Sequence, residues 1–374
     1  MTPAELSRTV LRSVRGAVEE QELSVPVPAR IVVQPPPRPG CGDYASNVAL
    51  QLARQAGRPA REVAEILRKR LIGSAGITRV EIAGPGFLNF TLGDGAQAAL
   101  VREVLAQGDR YGDRSVRSVR GVGAGDVAGP GSSPDREPAP DREPGRGPDP
   151  DRGPAPAPSA RDVVVAEVLA RIQAAAGVAA VDGGQAAPVA TPPDLTALIA
   201  RLGVDEARWV LLRPAAQDPV RVPERPVQRE SNPRFRVQYA AARARALRRY
   251  AQELGFGSEP GDVGAPARGE AVGEGPSDGS VSAAQNLQTF HTLLATYPSA
   301  IETAARLRAP DRVVRHLEAT ADAFFRWHDV CPPLPVGEQK PLAVHRARLA
   351  LAEAGGTVLA NGLRLLGISA PEHL

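Results

Sequence analysis

Apolar residues recur at helical spacing over Ala45, Val48, Ala49, Leu52, Ala53 and Ala56, and Gly57 ends that stripe. Pro59 then opens a second helix with Val63, Ile66, Leu67 and Leu71 on one face. The period next switches from helical to alternating. Val80 to Ala83 reads as a strand, Gly84-Pro85-Gly86 as a three-residue turn, and Phe87 to Leu92 as the returning strand of a hairpin. On that strand Leu88, Phe90 and Leu92 share one face, while Phe87, Asn89 and Thr91 share the other. These elements predict a small α+β domain over 1–111.

The pattern breaks after Gly112. Pro134-Asp135-Arg136-Glu137-Pro138 repeats as Pro140-Asp141-Arg142-Glu143-Pro144, and more loosely from Pro150 to Pro154. No aromatic residue falls between Gly112 and Arg208. Such a stretch lacks the apolar surface needed to offset chain entropy, so 112–193 is expected to be a disordered linker, interrupted by one helix over Asp162–Ala176. Helical periodicity resumes at Leu195–Leu202, closed by Gly203, and at Asp205–Arg213. A longer stripe follows through Val237, Ala240, Ala241, Ala244, Leu247, Ala251 and Leu254. After a second flexible loop over Gly255–Ser282, helices are expected at Ala283–Ala295, Arg312–Val330 and Leu342–Leu366. The predicted fold is therefore an α+β domain and an all-α helical bundle over 194–374, joined by a disordered linker.

Composition narrows the function. Of 45 basic residues in the 374-residue chain, all but Lys69 and Lys340 are arginine, so arginine richness by itself identifies no partner. Cys41 and Cys331 are isolated, which excludes a disulfide framework or a zinc knuckle; no metal and no cofactor is expected. There is no signal peptide pattern and no apolar run near the roughly 18 residues of a membrane span. A cytoplasmic location is the expectation.

Two places carry candidate chemistry. Six arginines lie within sixteen residues after Pro233: Arg234, Arg236, Arg243, Arg245, Arg248 and Arg249. With the apolar stripe turned inward, most of them are expected on one solvent face, as phosphate contacts require. In the hairpin, Phe87 beside Asn89 on the non-core face suits stacking and hydrogen bonding to an unpaired base.

The residues then resemble a family. Gly42-Asp43-Tyr44-Ala45-Ser46-Asn47 and the segment Glu81 to Phe90 resemble the additional N-terminal domain of bacterial arginyl-tRNA synthetases. Gly203 to Arg208 resembles the lead-in to that family's DALR-type anticodon-binding domain, Asn232 to Arg243 its anticodon helix, and Leu365 to Leu374 its C-terminal signature. The resemblance implies tRNA, of the arginine type, as partner. Phe87 and Asn89 would meet the D-loop corner. Asn232, Phe235, Gln238, Tyr239 and Arg243 would meet the anticodon loop, with Trp327 and His328 at the family's aromatic pair and Leu374 in place of a usual Met. Arg236 stands where an aromatic is usual and Ala241 where His is usual; a cation–π or phosphate contact from Arg236 would compensate in part.

The family's catalytic domain would fall where the linker stands. No histidine precedes His291, no two histidines are three apart, and Lys340 lies in Gln339-Lys340-Pro341, so neither an HIGH-type nor a KMSKS-type motif is present. The expectation is a non-catalytic paralogue, with no catalytic residue, gripping tRNA through two modules on a flexible tether. Two other readings stay open: a ligase-related subunit working with a separate catalytic chain, and a protein-interaction scaffold that has lost RNA and holds a partner such as arginyl-tRNA synthetase.

Overall fold

A computed structural model describes residues 1, 3–34, 36, 41–114, 157–178, 192–225, 228–264 and 278–373. The N-terminal part runs α1 (Pro3–Glu19), β1 (Tyr44–Ser46), α2 (Val48–Ala56), α3 (Ala60–Leu71), β2 (Ile77–Ala83), β3 (Phe87–Leu92) and α4 (Asp94–Gln107). The three strands form an antiparallel sheet with β3 in the centre. Leu88 and Phe90 are buried, as their alternation predicted. Gly86 (φ +144°) brings the hairpin turn against the start of α3, where a Cβ would sit 2.9 Å from the Ala60 carbonyl oxygen.

One local reading is corrected. Ala45 belongs to β1, opposite Asn89, and the helix starts only at Val48. Asp43 serves the sheet. Its Oδ2 accepts from the Leu92 amide at 2.6 Å, tying the end of β3 to the segment before β1. Helix α1 was not anticipated, although Leu6, Val10, Val14 and Ala17 are all fully buried along one face.

The remainder is helical: α5 (Ala160–Ala175), α6 (Pro193–Leu202), α7 (Val204–Leu212), α8 (Pro233–Glu253), α9 (Asp278–Leu307), α10 (Asp311–Val330) and α11 (Ala343–Leu366). The helix expected over Asp162–Ala176 is α5, and it joins the bundle rather than standing within a linker. A capping box between Ser159 and Asp162 opens this helix. Val164, Val168 and Ile172 are buried, and the helix packs on α7, α9 and α11. Arg161 Nη2 donates to the Pro214 and Ala215 carbonyls at 2.8 and 2.7 Å. The rest of the expected linker, 115–156 and 179–191, lies outside the described residues. The expected second loop is also ordered in part. Phe256 and Val263 are buried, and Glu259 N donates to the Arg346 carbonyl at 3.1 Å.

Flexible tethering of the modules is corrected as well, because the two halves share one core. Helix α4 lies on α11, and a 3-10 turn (Gly108–Arg110) carries the chain into the joint. Tyr111 stacks on Tyr297 at 6.2 Å and donates its hydroxyl to the Leu294 carbonyl at 3.0 Å. Asn361 Nδ2, buried on α11, donates to the Gly108 carbonyl at 2.9 Å. Gly112 (φ +89°) leaves no room for a side chain, since a Cβ would lie 2.8 Å from Tyr297 and Ile301. Arg114 N donates to the Ala175 carbonyl at 2.7 Å, so the chain leaves the first module already pressed on α5.

Two buried histidines add a pH dependence. Burial pushes His291 and His316 down to about 4. The unfolded chain, titrating near 6.5, then binds more protons than the native state between those values. Stability should be level above pH 6.5 and fall as pH drops toward 4. Denaturant midpoints across that range will measure the decline, and it should lessen in His291→Gln. A second expectation follows from the shared core. A single cut within residues 115–156 should leave both pieces co-eluting on size exclusion in native buffer.

Candidate nucleic-acid interface

Helix α8 begins at Asn232, whose Oδ1 accepts from the amides of Arg234 and Phe235. Its inward stripe is as expected: Val237, Ala240, Ala241, Ala244 and Leu247 are buried, with Gly356 of α11 close to Ala244. Ala241 therefore occupies the core, and the departure there does not touch the outer face.

The arginine face differs from expectation, because most of these guanidinium groups are already engaged. Arg234 is buried, with Nε 2.6 Å from Glu206 Oε2. Arg236 Nε donates to Asp322 at 2.6 Å while its guanidinium lies 4.8 Å from the centre of the Phe325 ring. Arg245 donates to the Ala370 and Pro371 carbonyls at 2.7 and 2.9 Å, pinning the C-terminal segment. Arg249 Nη2 lies 3.4 Å from His373 Nδ1. Only Arg243 and Arg248 lack a hydrogen-bond or ion-pair partner among the described residues.

Two of the candidate residues prove internal, and a third is engaged in capping α8. Trp327 is fully buried, stacked on Phe290 at 5.3 Å, so it belongs to the core. Gln238 is 1% exposed and donates through Nε2 to Asp205, the Ser369 carbonyl and Ser369 Oγ. Asn232 is the helix cap and donates Nδ2 to Glu206 at 2.8 Å. Trp327 and Gln238 present no free edge to RNA, while Asn232 remains half-buried at the edge of α8. Leu374 lies outside the described residues.

The others converge. Phe235 stacks on Tyr239 at 6.0 Å, and Tyr239 stacks on Phe325 at 5.4 Å. Arg236 covers the outer face of Phe325, and Arg243 stands one turn beyond Tyr239. This half-exposed ladder lies between α8 and α10, which run parallel: Arg236 meets Asp322 and Tyr239 meets Phe325. Phe325 was missed in the sequence. Its neighbour Phe324 carries the core stripe, and two adjacent aromatics on a helix point to different sides. His328, on the same side, is held below its usual range by burial and then by the Arg243 charge.

On the sheet, Phe87 is 40% exposed and Asn89 only 7%. Asn89 lies between Ala45 of β1 and Glu81 of β2, and Arg79 pairs with Glu81 at 2.6 Å alongside. Phe87 offers a free ring; Asn89 lies at the bottom of the same face. Among the described residues, no group of His, Cys, Asp or Glu could hold a metal, and no helix is long and apolar enough to cross a membrane.

With this geometry in hand, two family descriptions match the chain: the arginyl tRNA synthetase N terminal domain over residues 8–92, and the DALR anticodon binding domain over 237–374. The chain is related to arginyl-tRNA synthetases and carries an anticodon-binding domain. The arginine–tRNA ligase of Paenarthrobacter aurescens is 40% identical over 183 residues, which is 48% of this chain and 30% of that protein. The chain thus matches about a third of that relative's length. The ligase of Frankia alni is 28% identical over 568 aligned positions spanning all of both chains. Since this arginyl-tRNA synthetase relative has 374 residues, at least 194 of those positions have no counterpart in it. Thermus thermophilus arginyl-tRNA synthetase gives a TM-score of 0.49 at 15% identity, covering 100% of each chain.

Removing the Arg243 charge should raise the His328 pKa, because the imidazolium loses a cationic neighbour. An NMR titration of Arg243→Gln against the parent protein will read the shift.

Proposed function

We propose that this arginyl-tRNA synthetase relative binds tRNA of the arginine type and does not form an aminoacyl adenylate. The observation that carries the reading is the Phe235–Tyr239–Phe325 ladder, with Arg236 and Arg243 beside it, on the anticodon-binding domain. Unpaired bases stack on such rings at about 1–3 kcal/mol each, and phosphates take the adjoining arginines. On the α+β module, Phe87 supplies the stacking ring for the D-loop corner, with Asn89 at its foot.

The absence of HIGH-type and KMSKS-type motifs supports a non-catalytic role. So do the positions of the Frankia alni ligase that this chain leaves unmatched. Adenylate formation needs charge stabilisation of the transferring phosphoryl group, and those motifs supply it in class I synthetases. The mechanism is a fixed-span grip. The shared core presents the sheet face and the α8–α10 ladder at a set separation, so binding pays no tether entropy.

Filter binding with arginine-type tRNA at two salt concentrations tests the reading. Salt-sensitive binding is expected, and Tyr239→Ala and Phe325→Ala should each weaken it about tenfold. Arginine-dependent ATP–pyrophosphate exchange is expected to stay at background. Salt-insensitive or absent tRNA binding would overturn the proposal.

A further inference from the structure

A cleft outside the ladder has no role in the grip. It has a volume of about 860 Å³ and opens between α7, residues 213–225, the start of α8 and α10. Its walls are apolar: Pro214, Pro219 and Pro223 stand over a floor made by α7, where Trp209 and Val210 are buried. Proline rings make rigid surfaces that cost little to order around a planar guest.

Its rim is cationic. Four arginines line the cleft, Arg213, Arg221, Arg225 and Arg315, against three carboxylates, Glu206, Asp218 and Glu318. Two of the carboxylates are committed. Glu206 is buried under Arg234, and Glu318 accepts from Arg213 Nε at 2.7 Å. Arg315 pairs with Asp311 at 2.9 Å. Arg221 and Arg225 are exposed and have no ion-pair partner among the described residues; Asp218 is the uncommitted carboxylate of the cleft, and the exposed Glu224 lies between the two arginines in sequence. An apolar cleft far larger than a phosphate, edged by two uncommitted guanidinium groups, fits a planar ring joined to a phosphate.

We propose that this cleft binds a phosphorylated nucleotide unit, its phosphate on Arg221 and Arg225 and its base against the proline walls. The unit has two possible sources. One is a free mononucleotide. The other is a nucleotide of the RNA on the adjoining ladder, since Asn232 and Pro233 line the cleft and Phe235 starts the ladder less than one helical turn on. Only this second source rests on the tRNA reading.

The test compares the full chain with R221S/R225S, two exposed changes away from the core. AMP and ATP are titrated by calorimetry, and tRNA by filter binding across a salt series. If the source is RNA, the double variant should weaken tRNA binding about tenfold and flatten the log K against log salt slope by about 1.5, with no binding of AMP or ATP. If the source is a free nucleotide, AMP or ATP should bind the parent chain and bind the double variant about tenfold less well, whether or not tRNA binds. Y239A separates the two readings, since it should weaken tRNA alone. Less than a twofold change in every arm on R221S/R225S, or no binding of nucleotide or tRNA by the parent chain, would overturn the proposal.

Discussion

The joint at Tyr111 governs everything else in this molecule. One phenol stacks on Tyr297 and donates a hydrogen bond to a carbonyl of α9, while Asn361 donates to a carbonyl of the turn just before it. A buried donor left without its acceptor costs about 1–3 kcal/mol, so these bonds resist opening far more than their small net stabilisation suggests. The apolar surface of α4 and α11 seals around them, and hydration of either module's exposed core would have to accompany separation. Two segments that match separate family descriptions thus behave mechanically as one piece.

This constraint changes what the arginines mean. Read along the sequence, α8 is a cationic helix. In the folded chain its charges serve mostly as internal fasteners: Arg234 under α7, Arg236 across to α10, Arg245 on the last carbonyls. What remains outside is narrower and more aromatic than the composition implied. The half-exposed surface of this face is therefore made of rings first and of a few charges second.

The hairpin, the α8 stripe and the helix over 160–175 were legible because each writes its period locally. The joint was not, because its acceptors are backbone carbonyls of Gly108, Tyr111 and Leu294, which leave no trace in side-chain pattern. Asn361 within the apolar run of α11 was the one residue that signalled a buried polar contact. Trp327 and Gln238 illustrate the opposite failure. The family resemblance suggested a surface role, yet the register of α10 and α8 turns them inward, and the ring that reaches the α8 face is Phe325, whose side of the helix only the packing of Phe324 decides. Helix α1 was legible in principle from Leu6, Val10 and Val14.

The parallel course of α8 and α10 has an electrical meaning. Aligned peptide dipoles leave roughly half a positive charge at each helix start and half a negative charge at each end. Both starts, at Pro233 and Asp311, fall on the cleft side of the ladder, and both ends on the far side. Because that partial charge is felt only within a turn or so, it marks the cleft end of the groove and leaves the middle to the side chains. The two ends of the groove are thus electrically unlike, and the difference is written in the backbone.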